Sequence, residues 1–337
     1  MERRTFLKIL SSAGIVSLVS PTFAMEVCKN KVSKSSSALL ESAFRNPPFS
    51  SGVYTWWHWM NGNITKDGIT RDLEAMKANG IAGYQLFEAG SGIPIGPVES
   101  LSDEWVDLIL HTLKESERLG LEFAMHNCPG WSSSGGPWIT PDKAMQIITW
   151  SETKITGGKQ VRIQLPTPKH MFDYYIDTYC LAIPANMKVI PRLSILELSN
   201  RRDKDGGLTW DGPTGEWLIM RFGQTAKDQK NKSAPSKSTG LDCDKFSTEA
   251  LDYHLNCMFK RLMPTMEKIA KHSKIGLLID SYETGDQDWT SDMPAYFEQS
   301  HGYELYPFLP VLANKIVESE ESTKRFLFDF RRVRADM

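Results

Sequence analysis

The residues that could do chemistry in this chain stand where apolar runs end. Ile275, Leu277, Leu278 and Ile279 give way at once to Asp280, Ser281, Tyr282, Glu283, Gly285, Asp286, Gln287, Asp288 and Trp289. The run from Val53 to Trp59 carries His58 and leads to Asn61, Gly62 and Asn63. The run from Ile81 to Phe87 ends at Glu88, and that from Leu121 to Met125 ends at His126 and Asn127. Carboxylates transfer protons, and aromatic rings stack on the apolar faces of sugars. Each residue has a plainer reading: an acidic loop in solvent, a histidine satisfied inside the core, a tryptophan packed there.

Such residues need elements to hold them. The four runs are too short for helices, and apolar runs of this length fit strands of a parallel sheet covered on both faces. Between them the spacing is helical. Thr65 caps a helix through Ile69, Leu73 and Met76 that stops at Asn79-Gly80, and Ser102 caps one through Trp105, Leu108, Ile109 and Leu113 that closes at Gly120. Repeated βα units predict parallel strands with right-handed crossovers. Polar and acidic strand ends favour the mouth of a (β/α) barrel, where active sites of that fold sit. The pattern breaks from Ile147 to about Phe222, where short alternating segments and turn residues predict a β-rich insertion. It begins with a hairpin, Ile147 to Leu165, turning at Gly157-Gly158. Gln224 to Ser238, rich in Lys, Ser and Gln, is expected to be a mobile loop. Leu241 resumes the barrel, with a helix over Ser247 to Ala270 kinked at Pro264. The expected division is a signal over 1–24, a linker over 25–43, barrel parts over 44–146 and 241–337, and the insertion with its loop over 147–240. Four barrel strands are half of a TIM-like set, and the helical pattern at Arg331 to Met337 carries no stop signal. The expectation is the N-terminal part of a larger, here truncated, enzyme.

Lys plus Arg is 39 against 41 Asp plus Glu, a net charge of −2, which gives no basic footprint for nucleic acid or an anionic membrane. Ten Trp are present, three of them within Trp56-Trp57-His58-Trp59. Arg3-Arg4, then an apolar run from Ile9 to Val19 ending at Pro21 to Ala24, reads as an export signal of twin-arginine type. The run is short for a membrane span, so the mature chain is expected to be periplasmic or extracellular. The five Cys show no CxxC and write no disulfide framework. No H-E-x-x-H or Cys/His spacing supports zinc, and no G-x-G-x-x-G follows a strand.

Three stretches resemble glycoside hydrolase family 106, the α-L-rhamnosidases. They are Trp57 to Thr65 (WHWMNGNIT), His126 to Pro141 (HNCPGWSSSGGPWITP) and Asp280 to Thr290 (DSYETGDQDWT). The resemblance implies an α/β barrel with added β domains, an inverting mechanism and a calcium ion near the sugar. Inversion needs two carboxyl groups about 6.5–9.5 Å apart with water between them. On that footing Glu283 is the expected general acid. His58, Asn61, His126 and Asn127 are expected to bind sugar hydroxyls, Glu88 a hydroxyl or calcium, and Trp57 and Trp131 to stack on the ring. Glu88 is also the internal candidate for the base. The expected partner is a rhamnose-containing glycan or glycoside. The alternatives are another glycosidase on the same barrel and a non-catalytic carbohydrate-binding fragment.

Overall fold

The computed structural model describes residues 34–271, 274–280, 285 and 287–337. The export signal and Glu283 lie outside the described residues. The described residues divide after Gly52 into two units, the second running Val53–Met337. In the first, much of the stretch expected as linker is a helix, α1 (Lys34–Arg45), carrying an exposed ion pair between Glu41 and Arg45.

The second unit opens with β1 (Val53–Met60), α2 (Lys66–Ala78), β2 (Ile81–Ala89), α3 (Asp103–Leu119) and β3 (Glu122–His126). The helix ends follow local chemistry. Thr65 accepts the Gly68 N–H, Ser102 accepts the Trp105 N–H, and Gly120 turns left-handed at φ 65°. A β-rich stretch follows: β4 (Gln146–Thr156), β5 (Gln160–Gln164), β6 (Ile176–Pro184), β7 (Val189–Ile190), β8 (Leu196–Glu197), β9 (Gly207–Asp211) and β10 (Glu216–Ala226). Then come α4 (Thr248–Phe259), α5 (Met263–Ile269), β11 (Ile275–Leu278), α6 (Met293–His301), α7 (Leu309–Leu312), β12 (Ile316–Val317) and α8 (Glu320–Asp336).

β1, β2, β3 and β11 form one parallel sheet in that order. The fold is therefore α/β, with strands in chain order. Its helix-facing side buries Trp59, Tyr84, Leu86, Phe123 and Met125 against Ile69, Leu73, Trp105, Leu108, Leu113, Met258 and Met266. The apolar runs predict strands covered on both faces, and among the described residues β1 and β11 are edge strands whose far faces are open in part. Trp56 is 55% exposed and Ile279, just past β11, 63%.

β4, β10, β6 and β8 form an antiparallel sheet, while β5 pairs with β9 and β7 with β12. The hairpin expected across Gly157-Gly158 does not form. β4 pairs with β10, and the chain turns a corner so that β5 joins β9. Gly157 and Gly158 donate to the Gly215 and Gly212 carbonyls, and a Cβ on Gly157 would stand 2.1 Å from the Pro213 oxygen. The glycine pair thus marks a close crossing of chains. One face of the antiparallel sheet packs Ile148, Leu181, Leu218, Met220 and Phe222 against Phe297, Phe308, Phe326 and Phe330. The C-terminal helices, expected to rejoin the barrel, belong to this second core. The reason is their phenylalanines, which bury on that sheet. The four described cysteines are thiols.

Candidate active site

Side chains alternate across a strand, and this decides which expected site residues meet. His58, Phe87 and His126 share one face and one level, because His58 pairs with Phe87 and Leu86 with Met125 in the ladder. The three rings stack across three strands. His58 lies 5.5 Å from Phe87 at 23°, and Phe87 lies 4.8 Å from His126 at 21°. Trp56 flanks the row, its ring 5.1 Å from that of Phe87.

His126 is buried. Its Nδ1 lies 2.8 Å from the Cys128 carbonyl, an acceptor only, so Nδ1 carries the proton and Nε2 presents a lone pair. That Nε2 is buried and, among the described residues, has no hydrogen-bond partner. Burial pushes the His126 pKa down, opposed by the Cys128 carbonyl and by the charge of Asp280 just past β11. A neutral imidazole aimed in this way accepts a hydrogen bond from a hydroxyl.

Asn127 is held on three sides. Its N–H donates to the Leu278 carbonyl at 3.0 Å, its carbonyl accepts from His254 Nε2 at 2.9 Å, and its Nδ2 donates to the Ser133 carbonyl at 2.6 Å. Its Oδ1 is buried, with no partner among the described residues. The long loop after β3 is fixed by backbone contacts. Gly130, at φ 78°, donates to the Glu88 carbonyl, and a Cβ there would stand 2.1 Å from the Lys232 oxygen. Trp131, half-buried, donates its N–H to that same Lys232 oxygen. The stretch expected to be mobile from its composition supplies these partners. Its Asn231 is buried and donates to the Pro129 and Ser238 carbonyls.

Three expected site residues stand elsewhere. Trp57 is on the helix-facing side, edge-on to Trp59 and Tyr84, with its indole N–H on Asp72 at 3.0 Å. Its place is the core, because it is one residue out of phase with His58. Glu88 shares that side. Its Oε2 accepts from Ser100 at 2.9 Å and its Oε1 from the Trp105 indole at 2.8 Å. Burial raises its pKa to about 7, against both hydrogen bonds. Asn61 adopts φ 51° and spends its amide on the Ile93 carbonyl at 2.7 Å, so it shapes the turn after β1.

The sequence reading missed a buried polar network behind the acidic stretch. Asp242 is fully buried; its Oδ1 accepts from Ser134 and, at 2.6 Å, from Lys245. Asp244 accepts from the Phe246 N–H, from Gln287 and from Thr290 Oγ1. Gln287 also accepts the Lys245 N–H at 3.1 Å, and Asp288 accepts the Ile148 N–H at 2.8 Å. Burial raises the pKa of both Asp242 and Asp244, against these hydrogen bonds. The only signal was alternation, acids at 242 and 244 on either side of Cys243. Beside this network lies a cavity of about 490 Å³, lined by Lys245, Phe246, Gln287, Arg331 and Arg334 among others.

Among the described residues no three His, Cys, Asp or Glu side chains converge as a metal site would need. The proposed mechanism runs no step through the calcium ion that the family resemblance implies. No described helix is long and apolar enough to cross a membrane.

Parallel strands that carry two imidazoles stacked on one phenylalanine, with a buried amide beside them, define an α/β protein. The chain belongs to glycoside hydrolase family 106, described as alpha-L-rhamnosidase, whose family model matches residues 45–178 and 168–337. It is similar in fold to a rhamnosidase from Novosphingobium sp. PP1Y, with a TM-score of 0.80 at 24% identity, over 88% of this chain and 44% of that one. A protein of Formosa agariphila, provisionally named beta-glucuronidase, is 41% identical over 329 residues. The match covers 88% of this chain and 28% of that relative, so the chain spans under half the length of either.

Proposed function

We propose that the protein is an exported glycosidase that releases terminal α-L-rhamnosyl residues from a glycan or glycoside by an inverting, two-carboxylate mechanism. The observation that carries this reading is the end of β3. His126 offers a buried acceptor, partnerless among the described residues, level with His58 across Phe87. In this reading the parallel sheet is the first half of a (β/α) barrel, and residues 147–240 are its insertion. His126 accepts a sugar hydroxyl, and His58 and Trp56 border the ring.

Glu283 is the general acid. It lies three residues past Asp280, whose charge already acts on His126. An inverting enzyme pairs that acid with a carboxylate that activates water. Glu88 is not that base, since both its oxygens hold donors on the opposite side of the sheet. Hydrogen bonds to Asp244 and from the Lys245 N–H hold Gln287, four residues past Glu283 in the sequence.

A second reading has one observation behind it. The cavity lined by Arg331 and Arg334 suits a carboxylate, and the Formosa relative is named for a glucuronide. The test is turnover of p-nitrophenyl α-L-rhamnoside against p-nitrophenyl β-D-glucuronide, with the first-formed anomer read by proton NMR. Release of the β anomer of rhamnose supports the first reading. Turnover of the glucuronide alone replaces it with the second, and retention of configuration rejects the inverting mechanism.

A further inference from the structure

His254, on α4, is fully buried, and both ring nitrogens are engaged. The Trp138 indole is a donor only, and it points at Nδ1 from 3.2 Å. The Asn127 carbonyl is an acceptor only, 2.9 Å from Nε2. One neutral tautomer satisfies both: lone pair on Nδ1, proton on Nε2. A second proton would set an N–H against the Trp138 N–H. Burial pushes the pKa down to about 4, opposed by the Asn127 carbonyl, with Lys245 and His126 adding to the fall. The imidazole is thus a fixed donor, aimed at the peptide that follows His126.

We propose that His254 is a positioning residue, a permanently neutral clamp on the Asn127 carbonyl that holds the end of β3 where His126 meets the sugar. This rests on the reading of β3 as the sugar site. Without the clamp, Asn127 keeps its bonds to Leu278 and Ser133, so the strand stays paired while the carbonyl loses its donor. The effect belongs to binding rather than to the chemical step, because His126 touches the sugar and not the breaking bond.

The test uses the full-length protein with ¹⁵N-labelled histidine and three variants. In the wild type, the His254 resonances should show a proton on Nε2 alone from pH 8 to pH 5. An imidazolium at pH 6, or a proton on Nδ1, overturns the clamp. His254→Leu should raise KM for the rhamnoside about tenfold, the scale of one lost buried hydrogen bond, with kcat within about twofold. His254→Gln, whose amide can reach the carbonyl, should recover most of that loss. Trp138→Phe keeps the Asn127 bond and should lower Tm with KM unchanged. A folded His254→Leu protein with wild-type KM, or a Gln variant no better than Leu, overturns the proposal. If the wild type turns over neither glycoside, the proposed function fails, and the clamp is judged by tautomer and by Asn127 amide exchange. Exchange should quicken in His254→Leu; an unchanged rate then sinks the clamp as well.

Discussion

The Glu88 carboxylate accepts the Trp105 indole N–H at 2.8 Å, tying the end of β2 to the first turn of α3. The carboxyl group is buried, with its pKa raised from 4.5 to about 7. The folded protein therefore binds a proton that the unfolded chain releases between those values, and stability falls as pH rises through that window. Glu88→Gln removes the titration while its carbonyl still accepts from Trp105. The variant should match or exceed the wild-type Tm at pH 8. Its Tm should also change less between pH 5 and pH 8, a stability difference on the order of a few kcal/mol at most. Parallel Tm–pH curves for the two proteins would rule this out.

Phe87 separates His58 from His126, with an imidazole stacked on each face. Phe87→Ala should cost about 3–5 kcal/mol by removing a fully buried ring. Phe87→Leu should cost less yet still raise KM, since neither imidazole keeps its flat support. Urea unfolding gives the first quantity and rhamnoside kinetics the second. A Leu variant with wild-type KM would show that the stack serves packing alone.

Inside the antiparallel sheet, Arg221 is 3% exposed and grips Asp177 with two bonds, Nε to Oδ1 at 2.7 Å and a terminal nitrogen to Oδ2 at 3.0 Å. Arg202 reaches the same carboxylate at 2.8 Å. Arg221→Leu should destabilise by about 3 kcal/mol, the low end for breaking a buried pair, because Arg202 still covers Asp177. Arg221→Lys keeps the charge but loses the fork, and should fall between that variant and the wild type. Equal stability of all three would show that the pair contributes nothing net.

Strand and helix positions in the parallel sheet were legible because their signals are local. Thr65, Ser102 and Gly120 mark helix ends by chemistry within a few residues, and the apolar runs are short and separate. The face on which a side chain emerges is a matter of parity, and that decides which side chains meet. His58 and Trp57 are neighbours in sequence but lie on opposite sides of the sheet, so two residues expected to meet one ligand face different surroundings. Glu88 was misplaced for the same reason. The hairpin across Gly157-Gly158 failed because turn chemistry is local while pairing is not. β4 found β10, far along the chain, and the glycines served a chain crossing. Asp242, Asp244 and His254 were hidden because their partners lie far away in sequence, at Ser134, Gln287 and Asn127.

Export can be tested at the N-terminus. Replacing Arg3-Arg4 with Lys-Lys should hold the product in the cytoplasm if the twin-arginine route carries it. An unchanged periplasmic yield, measured by fractionation, would reject that route.

Glu283 carries the chemistry in the proposed mechanism. The position lies between Asp280, whose charge reaches His126, and Gln287, whose amide is bound to Asp244 and the Lys245 N–H. Glu283→Gln keeps shape and hydrogen bonding but removes the transferable proton. Loss of a general acid costs about 10²–10⁴-fold in rate. The loss should shrink on a rhamnoside of an activated phenol, because a good leaving group needs little protonation. Sugar binding should survive, since the amide is nearly isosteric. Glu88→Gln supplies the contrast: with its carboxylate on the helix side of the sheet, it should leave the leaving-group dependence of kcat/KM unchanged. The measurement is kcat/KM for the wild type and both variants on an activated and an unactivated rhamnoside. If Glu283→Gln loses equally on both substrates, or loses binding in place of rate, Glu283 is a ligand of the sugar and another group donates the proton.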